Sequence, residues 1–248
     1  NGDILDTRLE RLEFSGPDAA GTAQGTYRYD GKGPGVVDLN AALTRGEGRS
    51  VWRYMPHVVH ADVREWLKRG ITAGTASEAK LRLKGDLRYF PFEDKRKGEF
   101  LITAKAHGAE IDYGPGWPKI SGIDADLSFG SGMQVQARSG TILGASVGPV
   151  SARIPSFSAA EEELLIEGRA AGPTAEFLRF IEASPLPQSL KSRTAGLRAA
   201  GEGKLALKLR FPLRHMEKTG VQGEFTFRDN QLTILPGLPP VTQLGGRI

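Results

Sequence analysis

Apolar and charged side chains alternate from Leu81 to Tyr89, with Gly85 the one interruption. Leu81, Leu83, Leu87 and Tyr89 fall on one side, and Arg82, Lys84, Asp86 and Arg88 on the other. A period of two marks a strand with one greasy and one solvated face. Pro91, which cannot donate to a ladder, closes the segment at Phe90-Pro91-Phe92. A near copy, Leu205–Leu213, reads Leu-Ala-Leu-Lys-Leu-Arg-Phe-Pro-Leu.

The same alternation predicts strands along most of the chain: Ile4–Phe14, Gly25–Tyr29, Val36–Leu43, Glu99–Ala106, Glu110–Tyr113, Ile123–Phe129, Met133–Ala137, Val147–Ile154, Leu164–Gly168, Gly223–Phe227 and Gln231–Leu235. Asp30–Gly35 is a turn that makes the second and third of these a hairpin, and Glu93–Gly98 is a charged hairpin tip. Two blocks change period. Across Trp52–Gly70, after Pro56, Val58, Val59, Val63, Trp66 and Leu67 recur at helical spacing. Asp62 and Glu65 come early in it and Lys68 and Arg69 late, as a helix dipole favours. Pro173–Ile181 is helical through Phe177, Leu178, Phe180 and Ile181, and Ser184–Leu190 is a loop or a short second helix.

The resemblance between the two marked strands extends downstream. Phe90-Pro91-Phe92 matches Phe211-Pro212-Leu213, Gly98-Glu99-Phe100 matches Gly223-Glu224-Phe225, Ile111-Asp112-Tyr113 matches Leu232-Thr233-Ile234, and Trp117-Pro118-Lys119-Ile120 matches Leu238-Pro239-Pro240-Val241. Three of the four pairs share one interval, and a helical, proline-marked block precedes each copy. The expected architecture is mainly β: an elongated, curled antiparallel sheet, a groove, with a few short helices at its ends or edge. Residues 1–50 would be an incomplete β segment of a preceding unit. Residues 51–172 would be one helix-plus-meander repeat unit, and 173–248 a second, truncated unit of the same continuous groove.

Composition narrows the function. Lys and Arg total 33 against 29 Asp and Glu in 248 residues, for a formal charge of +4. The signs alternate instead of running in blocks, which suits solvated strand faces and argues against a nucleic-acid partner. Cysteine is absent, which removes thiol chemistry and disulfides. No run nears the ~18 apolar residues of a membrane span, and the first residues have no signal-peptide pattern. The 32 glycines suit many strands joined by tight turns. An amphipathic meander must hide its apolar face, either under a second sheet as a sandwich or by curling into a trough that binds something apolar. The pattern alone favours the ordinary core.

The run Tyr54-Met55-Pro56, Trp66–Gly70, Gly74, Leu83–Leu87 and Phe90-Pro91-Phe92 resembles the central region of the YhdP branch of AsmA-like proteins. Gly98-Glu99-Phe100, Tyr113, Trp117–Ile120, Ser184-Pro185-Leu186 and Phe211-Pro212-Leu213 follow in the same order. The resemblance runs from about Val51 to the C-terminus and rests on order and spacing, since no single motif is specific. It implies a bridge-like lipid transport protein of the Gram-negative envelope: an inner-membrane-anchored chain whose periplasmic part is a β-groove carrying phospholipid to the outer membrane. The anchor is not in this chain. The implied partners are phospholipid acyl chains, and inner- and outer-membrane proteins at the ends of the longer protein. No cofactor, metal or enzyme activity is implied.

On that reading the acyl chains lie along Leu81, Leu83, Leu87, Phe100, Ile102, Ile111, Tyr113, Leu127, Phe129, Leu205, Leu207, Leu209, Phe225, Phe227, Leu232 and Ile234. The alternative is a structural or adhesive β-sandwich that binds protein or glycan through loop aromatics such as Trp52 and Trp117. Catalytic constellations are weak. His57-x-x-His60 with Asp62 reads better as a surface helix start than as a metal fragment. Asp124 and Asp126 point to a strand's polar face, and with Glu161–Glu163 they lack the pocket a hydrolase needs. Gly31-x-Gly33-x-Gly35 is a turn with no phosphate-loop lysine. Trp66 and Trp117 are expected to pack helices on the sheet end.

Overall fold

The computed structural model describes residues 4–55, 59–234, 237 and 239–248. Twelve strands follow one another as a single antiparallel meander. They are β1 Leu5–Ser15, β2 Ala19–Tyr29, β3 Val36–Glu47, β4 Ile71–Asp86, β5 Gly98–Ile111, β6 Ile120–Phe129, β7 Met133–Ile142, β8 Ala145–Ile154, β9 Glu163–Pro173, β10 Arg198–Pro212, β11 Gly220–Thr233 and β12 Val241–Arg247. Every strand pairs only with its neighbours in sequence, so the sheet is curled but open, with β1 and β12 as its edges.

Three helices interrupt the meander: α1 Ala61–Gly70, α2 Thr174–Ala183 and α3 Gln188–Thr194. Strand direction alternates, so the β3–β4, β5–β6 and β9–β10 connections emerge on the same rim. All three helices therefore line one long side of the sheet. Helix α1 starts where the His60 ring accepts a hydrogen bond from the Asp62 amide at 3.3 Å, and it carries Lys68 and Arg69 in its last turn. Pro173 precedes α2 and Pro187 precedes α3. In both places a fixed φ presets the first turn without losing a needed donor.

Several expected boundaries are corrected by the structure. The strand containing Leu81 begins at Ile71, ten residues earlier, and ends at Asp86. Leu87–Tyr89 form a 3₁₀ turn because the Asp86 carboxylate accepts the Arg88 amide at 3.0 Å and pairs with its guanidinium. Leu87 and Tyr89 thus leave the strand face that their spacing assigned them. The break at His107-Gly108 is a bulge inside β5: Gly108, at φ +56°, takes up an extra residue and the strand continues to Ile111. Gly223–Phe227 and Gln231–Thr233 likewise belong to one bulged strand, β11; Leu235 lies outside the described residues. β12 has no counterpart among the expected strands. The block from Trp52 divides into a 3₁₀ segment, Gly48–Tyr54, and α1; Pro56, His57 and Val58 lie outside the described residues.

Left-handed residues recur along these strands at Gly74, Glu78, Gly108, Gly122, Gly148, Gly201, Asp229 and Gln243. Register shifts accompany Gly74, Gly108, Gly122, Gly148 and the Gly201–Asp229 pair. Bulges bend a strand and increase its twist, and this is how a wide sheet curls without closing.

The curl leaves much surface outside. A folded monomer of 26.7 kDa would expose about 10,700 Å²; this one exposes 16019 Å². The buried apolar residues are few and mostly small: Val37, Ala79, Phe92, Ile123, Ala125 and Ala145. Among the described residues no second sheet covers the first, so the sealed core that a sandwich requires is missing.

Candidate functional site: the apolar face of the sheet

Register decides which side chains share a face, because residues directly opposite in an antiparallel pair point the same way. Leu39, Leu83 and Phe100 stand opposite one another across β3–β5. Ala41, Leu81, Ile102, Phe129, Met133 and Ile154 form the next row, across β3–β8. A third row runs Ala104, Leu127, Val135, Ala152, Ile166, Leu209 and Val221, across β5–β11. Leu207 lies between Gly168 and Gly223, and Leu205 between Ala170 and Phe225. Near the helical rim, Ile71, Ile111, Ile120, Ile142 and Ala145 make a further row.

The other face is the polar counterpart. One row there reads Lys105, Asp126, Gln136, Ser151, Glu167, Lys208 and Gln222. Cross-strand ion pairs lace it: Arg82 and Lys84 to Asp38, Arg138 to Asp126, Arg210 to Glu163 and Lys208 to Glu167. The Arg82 guanidinium holds the Asp38 carboxyl below its usual range, and Arg82 is pushed up in turn. A shallow depression of about 560 Å³ crosses β2–β5, where the register puts Gln24, Asn40, Lys80 and Arg82 on this same polar face. Ala23, Ala42 and Leu101 line it beside these polar groups.

The sixteen residues expected to line the groove lie as follows. Leu81, Leu83, Phe100, Ile102, Leu127, Phe129, Leu205, Leu207, Leu209 and Phe225 share the apolar face through the pairings above. Phe227 joins them opposite Gly203, and Leu232 sits between Ala199 and Val241. Ile111 is in the rim row. Leu87 stands in the 3₁₀ turn, and Tyr113 and Ile234 stand just beyond the ends of β5 and β11. All but Ile234 are half-buried and none is fully buried. Ile234 is 54% exposed. A face of leucines and phenylalanines that is neither sealed nor flat is what a trough leaves.

Aromatic side chains build the helical wall of the trough. The Trp66 indole donates to the Tyr113 carbonyl at 3.4 Å. Tyr113 packs on Trp117, and Trp117 on Phe180 of α2, each with ring centroids 5.9 Å apart. Both tryptophans therefore tie helices to the sheet end, as expected of them. Burial, with the Asp112 carboxylate nearby, pushes the Tyr113 hydroxyl up to about 12. Trp52 is flanked by Arg53 and Lys68, with the cations 5.6 and 5.1 Å from its ring centroid. Neither Trp52 nor Trp117 forms the exposed loop patch of the adhesive alternative.

The acidic groups weighed as catalytic candidates, Asp124, Asp126 and Glu161–Glu163, are each matched with a basic side chain or a donor. Asp124 accepts the Gly108 amide at 3.0 Å, Glu161 faces His215 at 3.9 Å and Glu162 faces Arg214 at 3.8 Å. Hydrogen bonds from Ser50 and then Arg53 lower the Asp18 carboxyl, and Thr72 followed by Lys119 lower Glu110. Asp38, Glu78, Asp86 and Asp94 are likewise lowered by hydrogen bonds from neighbouring cations, away from the neutral range where a general acid works. His60 caps α1, and His57 lies outside the described residues.

Sequence reasoning missed several members of the face. Leu39, Val135 and Ile166 sit in strands that alternation had located, and extending the same rows would have found them. Asn230 had no such signal. Arg228-Asp229-Asn230-Gln231 reads as a polar turn, yet Asn230 is 3% exposed and its amide donates to Thr174 Oγ1 of α2 at 2.5 Å.

Comparison with known proteins agrees with this geometry. The family described as "YhdP protein" matches residues 1–248. The Escherichia coli (strain K12) protein described as "Intermembrane phospholipid transporter YhdP" is 28% identical over 229 residues, covering 91% of this chain and 18% of that relative. The chain thus spans under a fifth of the length of the curated relative it matches. No solved structure matches it.

Proposed function

This chain belongs to the YhdP protein family, and we propose that it is a segment of a hydrophobic β-groove that binds acyl chains and conducts phospholipid passively between the inner and outer membranes. The observation that carries the proposal is the uncovered apolar face: rows of Leu, Ile and Phe half-buried on one side of a single curled sheet, with ion-paired strands on the other. Water is a poor neighbour for such a face, since each fully buried Leu or Phe is worth roughly 1.5–3 kcal/mol over an exposed one. Lipid tails laid along the rows recover that energy, while headgroups stay at the open mouth.

The chain works without catalysis. It supplies a continuous low-energy path, and the direction of flow comes from outside it. Its lining is the set above without Leu87, which the turn after β4 takes off the face, and with Leu39, Val135 and Ile166 added by register. We assign residues 51–172 and 173–248 to two successive helix-plus-meander units, with 1–50 the end of a preceding one. The matching helical blocks before β4 and β10 support this division. The segment belongs in the periplasm, as part of a longer protein anchored in the inner membrane that meets membrane proteins at its ends. No helix among the described residues is long and apolar enough to cross a membrane. The relative's description as an intermembrane phospholipid transporter supports the same placement.

Native mass spectrometry of the chain purified from a membrane-containing extract tests the proposal. Phospholipid should be retained in the native complex and lost on denaturation. A lipid-free chain that also takes up none from vesicles would overturn it.

A further inference from the structure

At the β10–β11 end the floor of the trough has a construction of its own. Two glycines of β10 are each covered by a side chain from β11 lying across them. A Cβ on Gly203 would stand 2.6 Å from Cε2 of Phe225, and one on Gly201, at φ +105°, would stand 2.8 Å from Cγ of Asn230. Gly246 of β12 makes similar room, 3.0 Å from the Phe227 ring. The rings therefore lie down on the sheet instead of rising from it.

Helix α2 stands over this spot. Its Phe177 meets Phe225 edge-on, with ring centroids 5.0 Å apart, and Phe225 continues to Phe227 at 5.9 Å. The first turn of α2 is clamped there by the buried hydrogen bond from Asn230 to Thr174. Floor ring, overhead ring and clamp depend on one another, because Gly201 and Gly203 leave the space in which Asn230 and Phe225 lie.

We infer that Phe177 and Phe225 are a specificity-determining pair that sets the calibre of the groove, admitting a flexible unbranched acyl chain and excluding one that carries a rigid ring system. The inference rests on the lipid-groove reading. Two rings in edge contact leave no space between them, so a tail crossing β10 passes on the other side, over Leu207. The floor there is aliphatic and carries no ring: Leu207 is flanked by Gly168 and Gly223 in its own row, with Val150 lying over Gly168. A methylene chain can follow that channel past the rings. A wide, flat substituent needs the volume that Phe177 fills.

The test compares retention of plain and pyrene-terminated phosphatidylglycerol, taken up from vesicles and read by native mass spectrometry. Phe177→Ala should raise the pyrene-to-plain ratio about two- to tenfold, the factor an aromatic pair of roughly 0.5–1.5 kcal/mol represents. Gly203→Ala, which forces Phe225 upward, should lower retention of both lipids. Should Phe177→Ala fail to fold by circular dichroism, Phe177→Leu keeps apolar packing and should raise the ratio by a smaller factor. An unchanged ratio in the folded variants, with plain lipid retained by the unaltered chain, overturns the calibre inference alone. Failure of the unaltered chain to retain plain lipid overturns the groove reading beneath it.

Discussion

Leu83→Asp separates an open trough from a sealed core by magnitude. Leu83 is half-buried between Leu39 and Phe100 in its row. Losing a half-buried leucine costs about 1 kcal/mol, taken as half of the full-burial value. The poor strand preference of aspartate adds up to about 1 kcal/mol. On an open face the new carboxylate keeps its water, so the total is about 2 kcal/mol. At roughly 2–4 °C per kcal/mol for a chain of this size, Tm should fall by about 4–8 °C with the fold intact. In a sealed core the same charge would be desolvated without a partner. Together with the lost leucine that penalty would rival the about 5–15 kcal/mol that holds most domains together. The assay is thermal unfolding by circular dichroism, paired with lipid retention by native mass spectrometry. We expect a folded, modestly destabilised chain that retains much less lipid. Global unfolding of Leu83→Asp would refute the open face. A folded variant with undiminished lipid would remove Leu83 from the lining.

Further outcomes follow from particular contacts. Thr174→Val removes the acceptor of the buried Asn230 amide and should cost about 1–3 kcal/mol, seen as a lower Tm and earlier proteolysis around α2. Because Tyr113 is raised to about 12, the contribution of its neutral form is complete below the ordinary tyrosine value near 10. It is lost as pH climbs from there through about 12, so Tyr113→Phe should lessen the alkaline loss of stability in a pH-dependent melt. Asp18 is lowered by Ser50 and Arg53, so its contribution is present above the usual carboxylate range and fades as pH falls below it. Asp18→Asn should flatten that part of the acid melting curve.

Much of the sheet was legible because alternation is local. Where a strand has one wet and one greasy face, as from Leu81 to Asp86 or from Leu205 to Phe211, the period of two appears in a few residues and fixes both element and face. The legibility failed where the backbone left that period. Ile71–Lys80 is strand, but its bulges at Gly74 and Glu78 reset the parity and its side chains are mostly small or polar. Leu87 and Tyr89 keep the right spacing, yet Asp86 caps a turn and takes them off the face. His107-Gly108 and Asp229-Asn230 look like turns because bulges use the same residues as turns. β12, Val-Thr-Gln-Leu-Gly-Gly-Arg, carries too few apolar residues to register as a strand by itself.

The sequence alone therefore determined the antiparallel β class, the position of the helical blocks and the residues on the greasy side of most strands. It could not decide what lies over that side. Alternation records that a face avoids water and is silent on whether a second sheet, a helix or a lipid tail does the covering. Only the tertiary arrangement answered that: strict neighbour pairing spends all twelve strands in one sheet, bulges curl it, and the helices reach only one rim. What remains uncovered is the Leu81–Leu83 face, the same alternating stretch that first stood out in the chain.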